Sequence, residues 1–148
     1  MSNIPRPQGH HVLTPSSVTS ETAAVIAFVE EAFAGKVVDR YDAPDGLIHH
    51  AEVLVGDSVL MLGSLLPNDA PRPANLTLYL DNEEAVTKTF ARAIKAGAKS
   101  IAEPTTLPWG YHSGCLSDVG GNRWTICAIV EAVSHDEVEK RLRAAPQN

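Results

Sequence analysis

The same order of predicted secondary structure occurs twice in this chain, and this repeat restricts the fold more than any other feature of the sequence. Phe28 and Gly35 in the first half have counterparts at Phe90 and Gly97, an offset of about 62 residues. Each glycine follows apolar residues at helical spacing and is expected to end a helix. Short β-type runs precede and follow each helix, so both halves predict the order β-α-β-β-β.

The repeat divides the chain into parts with definite bounds. We expect one domain over residues 1–148, with a first unit at about 12–63, a linker at 64–74, a second unit at about 75–130 and a closing helix at 134–145. The linker is rich in proline, which excludes a helix or a central strand. The predicted fold class is α+β: two tandem βαβββ modules forming a curved mixed sheet with a cleft, plus a C-terminal helix.

Local signals predict where several elements begin and end. Val12–Val18 is expected to be the first strand, at an edge because it contains proline. Asp81 and Ser134 are each followed by glutamate three residues later, which predicts that each caps a helix. Thr105–Tyr111 is expected to be a loop that carries Trp109.

The last two strands of the second unit are predicted to form a hairpin, because Gly114–Asp118 and Arg123–Val130 flank a Gly-Gly-Asn turn. Its two cysteines, Cys115 and Cys127, would face each other across this hairpin. A disulfide is conceivable, but thiols of cytosolic proteins stay reduced, so we expect both to be free and inert.

Composition excludes several classes of partner. The formal net charge is −6, whereas nucleic-acid-binding surfaces are basic. The start of the sequence, MSNIPRPQGHH, has no apolar segment typical of a signal peptide, and the longest apolar run is too short to cross a bilayer. We therefore expect a cytoplasmic protein with no nucleic-acid or membrane partner.

Strand alternation predicts which side chains face the cleft. Trp124, Ile126 and Ala128 are expected to pack inward against the helices. The side chains expected in the cleft are mostly polar or aromatic, and they are His50, Glu52, Leu54, Val59, Met61, Asn75, Thr77, Tyr79, Arg123, Thr125 and Cys127. Apolar walls with a few polar groups are typical of a pocket for a small molecule.

Several candidates have an ordinary structural interpretation beside a functional one. One interpretation is that His49 and His50 are ordinary solvated residues of a strand. The other is that His50 acts as an acid or base whose imidazole is oriented by Glu52. Trp109 either closes the end of the sheet or forms a stacking wall for a flat ligand. His112 is either a surface residue or a ligand contact, in a loop beside the cleft. His10–His11 are expected to lie on an exposed arm.

The second half also contains a series of motifs in a fixed order. A strand ends at Asp81, an Ala-Gly-Ala helix stop follows, and then come a Pro-Trp-Gly loop, a D-x-x-G-x-x-W hairpin from Asp118 to Trp124 and a capped helix. The first half contributes DGLIHHAEVLVGDSVLML. Over Val12–Arg143 the chain resembles the vicinal oxygen chelate superfamily of glyoxalase I, bleomycin-resistance proteins and extradiol dioxygenases, in particular its PhnB-like branch.

The resemblance implies where a metal would be held and what is missing there. In the metal-dependent members, His and Glu ligands come from the first and last strands of the two units. Those positions correspond here to Thr14, Met61, Asn75 and Thr125. None is a good ligand for a divalent metal, so we expect no metal and no cofactor. The resemblance also implies a homodimer.

The leading functional hypothesis from this resemblance is a metal-free protein that sequesters an aromatic or conjugated natural product, as in drug resistance. Tyr79 and Trp109 would stack on the ligand, while Asn75, His112 and Arg123 would hold its polar groups. An alternative is a metal-independent isomerase, lyase or cyclase with a cleft histidine as acid or base. A sensor, or a relative that lost its function with its metal, is a third possibility.

Overall fold

The computed structural model describes residues 4–145 as two βαβββ modules followed by a helix. Module 1 consists of β1 (Ser16–Thr19), α1 (Thr22–Phe33), β2 (Lys36–Asp42), β3 (Ile48–Val55) and β4 (Ser58–Ser64). Module 2 consists of β5 (Asn75–Tyr79), α2 (Glu83–Lys95), β6 (Lys99–Thr106), β7 (Tyr111–Ser117) and β8 (Arg123–Ile129). The chain then forms α3 (His135–Ala144).

Each module forms a four-stranded mixed sheet with the same topology. Sheet 1 has the strand order β1-β4-β3-β2 and sheet 2 has the order β5-β8-β7-β6. In both, the first and last strands of the module are parallel and the other pairs are antiparallel. The predicted α+β class with two tandem βαβββ modules and a C-terminal helix is confirmed. None of the helices in residues 4–145 is long and apolar enough to span a membrane.

The core forms where one face of each sheet packs against the helices. Helix α1 lies on β3 and β4, α2 lies on β6, β7 and β8, and the two helices also contact each other. Phe33 of α1 packs against Trp124 of β8 with ring centroids 4.6 Å apart, so both modules share one hydrophobic core. Trp124 is only 3% exposed, as expected of a core residue.

Three of the predicted element boundaries were wrong. The first strand begins at Ser16, because residues 12–15 belong to an arm that runs toward it. Helix α2 is capped by Asn82, whose side chain accepts a hydrogen bond from the amide of Ala85, and Asp81 lies before the cap. Strand β6 continues to Thr106, which shortens the loop around Trp109 to residues 107–110.

Two glycines expected to end helices have different roles. Gly97 has a φ of +111° and follows α2, as predicted. After α1, however, it is Ala34 that adopts the left-handed conformation, with a φ of 54°. Gly35 is needed for close packing instead, because a Cβ there would lie 2.9 Å from Cγ1 of Val53.

A buried polar network fixes the β7–β8 turn and links it to module 1. The carboxylate of Asp118 accepts hydrogen bonds from the indole of Trp124 and from the side-chain amide of Asn122, both at 2.9 Å. The side-chain oxygen of Asn122 in turn accepts bonds from the hydroxyl of Ser17 in β1 and from the amide of Ala74 in the linker. The D-x-x-G-x-x-W motif therefore connects the modules, a role that its spacing did not reveal.

Candidate functional site

The predicted cleft residues lie on the sheet faces that the helices leave open. Module 1 contributes His50, Glu52 and Met61, with Glu52 and Met61 directly opposite each other on β3 and β4. The remaining residues form a surface on sheet 2 that we call the module 2 platform, and its members are Asn75, Thr77, Tyr79, Arg123 and Thr125. The alternation predicted for β5 agrees with its burial: Leu76 and Leu78 pack against the core, whereas their neighbours on the platform are exposed. On β8 the agreement is partial, because Cys127, which was expected to face the cleft, is only 1% exposed.

The module 2 platform combines an aromatic end with a polar end. Tyr79 is 59% exposed, and its ring lies edge-to-face with that of Tyr111 on β7, with centroids 6.3 Å apart. Desolvation and the neighbouring Tyr111 raise the pKa of Tyr79, so its hydroxyl stays neutral and can donate a hydrogen bond. At the other end, Arg123 lies opposite Asn75, and its Nε donates to Sγ of Cys115 at 3.0 Å.

A groove of about 300 Å³ runs along β5 where the two modules meet. Thr77 and Tyr79 line it from module 2, and the β3–β4 turn lines it from module 1. His11 and Leu13 of the arm close it on a third side, and Leu13 is 88% exposed. The sequence did not place the arm at a site, because no local pattern links residues 11–13 to β5.

The module 1 face holds a cluster of one carboxylate and two imidazoles. Oε1 of Glu52 lies 3.0 Å from Nε2 of His50, which confirms that these two residues lie on one face and interact. Nε2 of His10 lies 3.2 Å from the same oxygen. His10 is only 9% exposed, so the prediction of an exposed His10 was wrong: the arm turns back over sheet 1 and buries it. His11 remains exposed, with Nε2 3.1 Å from the carbonyl oxygen of Asp57.

Two further predicted contacts, His112 and Trp109, are not on either of these faces. His112 is buried in a strand, and Trp109 lies in a turn. His112 belongs to β7 rather than to a loop and is opposite Ala128, which packs toward the helices. It is buried, and its Nδ1 lies 3.0 Å from the hydroxyl of Thr106, so it does not join the other predicted contacts. Trp109 is 39% exposed in the turn before Tyr111.

The two cysteines are free and are not opposite each other. Cys115 pairs with Thr125 and Cys127 pairs with Ser113, so the thiols are diagonal neighbours on the hairpin. Burial raises the pKa of the Cys127 thiol, which keeps it protonated at neutral pH.

The positions where the family holds a metal carry poor ligands. Thr14 lies outside the strand, and the residue opposite Met61 on β1 is Ser16. The resulting set is Ser16, Met61, Asn75 and Thr125. It contains no carboxylate and no imidazole, so it does not fit a catalytic divalent metal. Elsewhere in residues 4–145, no group of three or more His, Cys, Asp or Glu side chains could hold a metal ion.

Comparison with known proteins agrees with this architecture. The model of the Glyoxalase/Bleomycin resistance protein/Dioxygenase superfamily matches residues 9–126. The chain belongs to this superfamily. An uncharacterised protein of Mycobacterium tuberculosis (strain ATCC 25618 / H37Rv) is 28% identical over 139 residues, which cover 88% of this chain and 81% of the relative.

Several solved structures show the same fold at low sequence identity. TioX from Micromonospora sp. ML1 superposes with a TM-score of 0.66 at 17% identity, covering 80% of this chain and 98% of TioX. The fosfomycin resistance protein FosX from Listeria monocytogenes, in complex with Mn(II) and sulfate, gives a TM-score of 0.62 at 11% identity, covering 89% and 97% of the two chains. These similarities concern the fold.

Proposed function

We propose that this protein binds a small aromatic or conjugated molecule without a metal, on the module 2 platform and the groove beside it. The observation that carries the proposal is the exposure of Tyr79 next to Tyr111, on a sheet face that the helices leave uncovered. Exposed aromatic rings at one end of an open sheet face offer the flat surface on which a planar ligand can stack.

Polar groups at the other end of the platform would orient the ligand. The guanidinium of Arg123 can hold a carboxylate or a phenolate, and Asn75 opposite it has both a donor and an acceptor. Thr77 and Thr125, which are also opposite each other, add two hydroxyl groups between the ends. His112, which is buried on the helix side of β7, would act on such a ligand only through its neighbours.

A thermal-shift and titration experiment tests this proposal with a panel of flat natural products and their saturated analogues. We expect one or more flat compounds to raise the melting temperature, and Tyr79→Ala to weaken their binding by about two- to tenfold. Tyr41→Ala is the matched control, because Tyr41 is 58% exposed on the other sheet and should leave affinity unchanged. The absence of any stabilising compound, or equal losses in both variants, would contradict the proposal.

The metal-free part of the proposal rests on Met61, Asn75 and Thr125, which are poor ligands for a divalent metal at the positions where the family holds one. It has its own test. Elemental analysis of protein purified without a histidine tag should find no stoichiometric transition metal. One equivalent of zinc, nickel, iron or manganese per chain would contradict it.

A second candidate function is favoured by the hydrogen bond between His50 and Glu52 on the module 1 face. A carboxylate that orients an imidazole is the arrangement that acid–base catalysis needs. A metal-independent isomerase, lyase or cyclase would use His50 as the acid or base. His50→Ala would then abolish turnover of a compound found in the panel and spare its binding, whereas a pure binding protein would show no turnover to lose.

We also propose a homodimer in which the Asp39 side of sheet 1 in one copy contacts the Arg123 end of sheet 2 in the other, which leaves Tyr79 accessible. Sheet 1 presents the carboxylate of Asp39 opposite Glu52, and sheet 2 presents Arg123, so the two faces are complementary in charge. Light scattering after size-exclusion chromatography should give the mass of two chains. Arg123→Glu should reduce that mass toward one chain, and a wild-type monomer would contradict the proposal.

We further propose the PhnB-like branch, a cytoplasmic location and a role in resistance to a toxic compound. The branch is supported by the order of the motifs along module 2, including the helix stop at Gly97 and the cap of Ser134 on α3. The resistance role is supported by the existence of a fosfomycin resistance protein with this fold.

A further inference from the structure

Each sheet has two edge strands, and the four edges differ in how their free backbone groups are protected. An edge strand pairs with other chains unless charges, proline, bulges or a covering segment prevent it. Strand β1 is covered by the linker, because Val18 and Arg72 exchange two backbone hydrogen bonds, at 3.1 and 2.8 Å. Strands β2 and β6 carry charged residues and irregular registers, and β6 also contains Pro104.

Strand β5 is the edge without such protection. Its sequence, NLTLY, contains no charged residue and no proline, and its register with β8 is regular. Within residues 4–145, β8 is the only strand that pairs with it. The other edge of β5 is therefore open along the whole strand.

The free backbone groups of β5 belong to alternate residues. The amide of Arg123 donates to the carbonyl oxygen of Ala74 at 2.9 Å, and the amide of Leu80 donates to that of Cys127 at 2.8 Å. In a parallel pair, successive residues direct their backbone groups to opposite sides of the strand, so the even-numbered residues serve β8. The N–H and C=O groups on the open edge are those of Asn75, Thr77 and Tyr79.

The groove of about 300 Å³ follows this open edge. The four consecutive residues 76–79 all line it. Because Leu76 and Leu78 pack against the core while Thr77 and Tyr79 face the platform, a groove on one face of the sheet could not contact all four. The β3–β4 turn and the arm form the opposite walls, so the groove leaves room for a further segment beside β5.

The open edge specifies the chemistry of its occupant. Its donor and acceptor pairs recur every two residues, at a spacing of about 6.6 Å, which is the repeat of an extended peptide backbone. Side chains of an added strand alternate in direction, so one set would lie over the platform and the other would enter the apolar groove. Tyr79 is on the platform side, and the buried Leu60 is in the wall of the groove.

We infer that the β5 edge binds a short extended peptide by strand addition, with an aromatic side chain on the module 2 platform and apolar side chains in the groove. The inference rests on the proposed function for its aromatic contact, and it names the ligand class: the group that stacks on Tyr79 is carried by a peptide backbone. Three residues with free groups on β5 can pair with a ligand of about three to five residues.

Amide hydrogen exchange of the full-length protein, measured by NMR, tests strand addition. The probes are capped tetrapeptides in which leucine alternates with tyrosine or tryptophan. We expect a saturating peptide to slow exchange at Thr77 and Tyr79 by about tenfold or more, because their amides gain acceptors. The amides of Leu76 and Leu78 already donate to β8 and are the internal control, so their exchange should change far less.

N-methylated versions of a peptide that binds supply a matched control. Methylation of the amides that face β5 should weaken binding by about tenfold or more, since each removes a hydrogen-bond donor. Methylation of the alternate amides, which face away from β5, should leave the affinity within about twofold. Both measurements use the wild-type protein, so neither depends on the folding of a variant.

Three results would overturn the inference. No tetrapeptide slows exchange at Thr77 and Tyr79, both methylated sets bind equally well, or these two amides already exchange slowly in the free protein in a concentration-dependent way because a second copy occupies the edge. Binding of flat compounds but of no peptide would contradict strand addition and leave the proposed function intact. Peptide binding that is unchanged in Tyr79→Ala would contradict the proposed stacking and support strand addition.

Discussion

Asn122 has no exposed surface, and its side chain joins three segments that are distant in sequence. It donates to Asp118, and it accepts from the hydroxyl of Ser17 and from the amide of Ala74. Removing it would leave these groups without partners in the interior, which costs more than the net value of the hydrogen bonds themselves. We expect Asn122→Ala to lower the free energy of unfolding by about 2–3 kcal/mol.

Urea denaturation followed by circular dichroism measures this loss as a lower midpoint. Asn75→Ala is the matched control, because Asn75 is exposed at the start of β5 and should change stability by less than about 0.5 kcal/mol. If both variants unfold at the same urea concentration, the network is not a stabilising link.

Asn122 and His10 also show which properties of single residues the sequence could not predict. The D-x-x-G-x-x-W motif correctly located a turn, because turn formation depends on neighbouring residues. The bond from Ser17 to Asn122 spans 105 positions, and the contact of His10 with Glu52 depends on how the arm folds back. Such contacts follow from tertiary packing, which no local pattern encodes, so the arm histidine was assigned to the surface.

Helix α3 contacts the rest of the protein without burying any residue, and polar contacts hold it in place. Arg141 donates to both carboxylate oxygens of Glu131, at 3.1 and 2.8 Å, and to the carbonyl oxygen of Pro108 at 3.1 Å. A bidentate guanidinium–carboxylate pair fixes the orientation of the two side chains more closely than a single hydrogen bond does. The hydrogen bond from Arg141 also lowers the pKa of Glu131 from its usual range.

We expect Arg141→Gln to increase amide hydrogen exchange in α3 by about tenfold, because the helix would lose its anchor to the Trp109 turn. Arg143→Gln is the control, since among residues 4–145 the side chain of Arg143 bonds only to Glu139, within the same helix. Exchange at Val138 and Leu142, measured by NMR, reports the result. Equal exchange in both variants would show that Arg141 does not anchor the helix.

The same anchor should depend on pH with a definite sign. A carboxylate with a lowered pKa in the folded protein stabilises the fold above its usual pKa, and the stabilisation is lost as pH falls. The protection of α3 should therefore be complete near neutral pH and decrease as Glu131 becomes protonated in acid. In Arg141→Gln this acid-dependent step should be absent.

The secondary-structure elements were easier to predict than their mutual arrangement. Helical spacing and turn residues identified every helix and strand of residues 4–145, and Ser134 was correctly assigned as the cap of α3. Strand alternation also correctly predicted that Leu76 and Leu78 pack against the core, whereas Thr77 and Tyr79 face away from it. It could not show that the residues of modules 1 and 2 lie on separate sheets, because that depends on how α1 packs against α2.

The two modules are structurally similar, and the contacts between them lie in the core. Phe33 packs on Trp124, and the backbone oxygen of Ala32 accepts a hydrogen bond from Nε of Arg92 at 2.8 Å. We therefore expect one cooperative unfolding transition, in which tryptophan fluorescence from module 2 and methyl signals of Val53 in module 1 change together.

Phe33→Ala tests this coupling, since Phe33 belongs to module 1 and packs both on Phe28 of its own helix and on Trp124 of module 2. The variant should lower both midpoints by the same amount, corresponding to about 3–5 kcal/mol for a deleted core aromatic. Ile101→Ala, at a position 49% exposed on β6, should shift neither midpoint appreciably. A shift confined to module 1 signals would mean that the repeat consists of two independent folding units. A shared shift would mean that a ligand bound to the module 2 platform stabilises module 1 as well, because a ligand that binds only the folded state stabilises the whole cooperative unit.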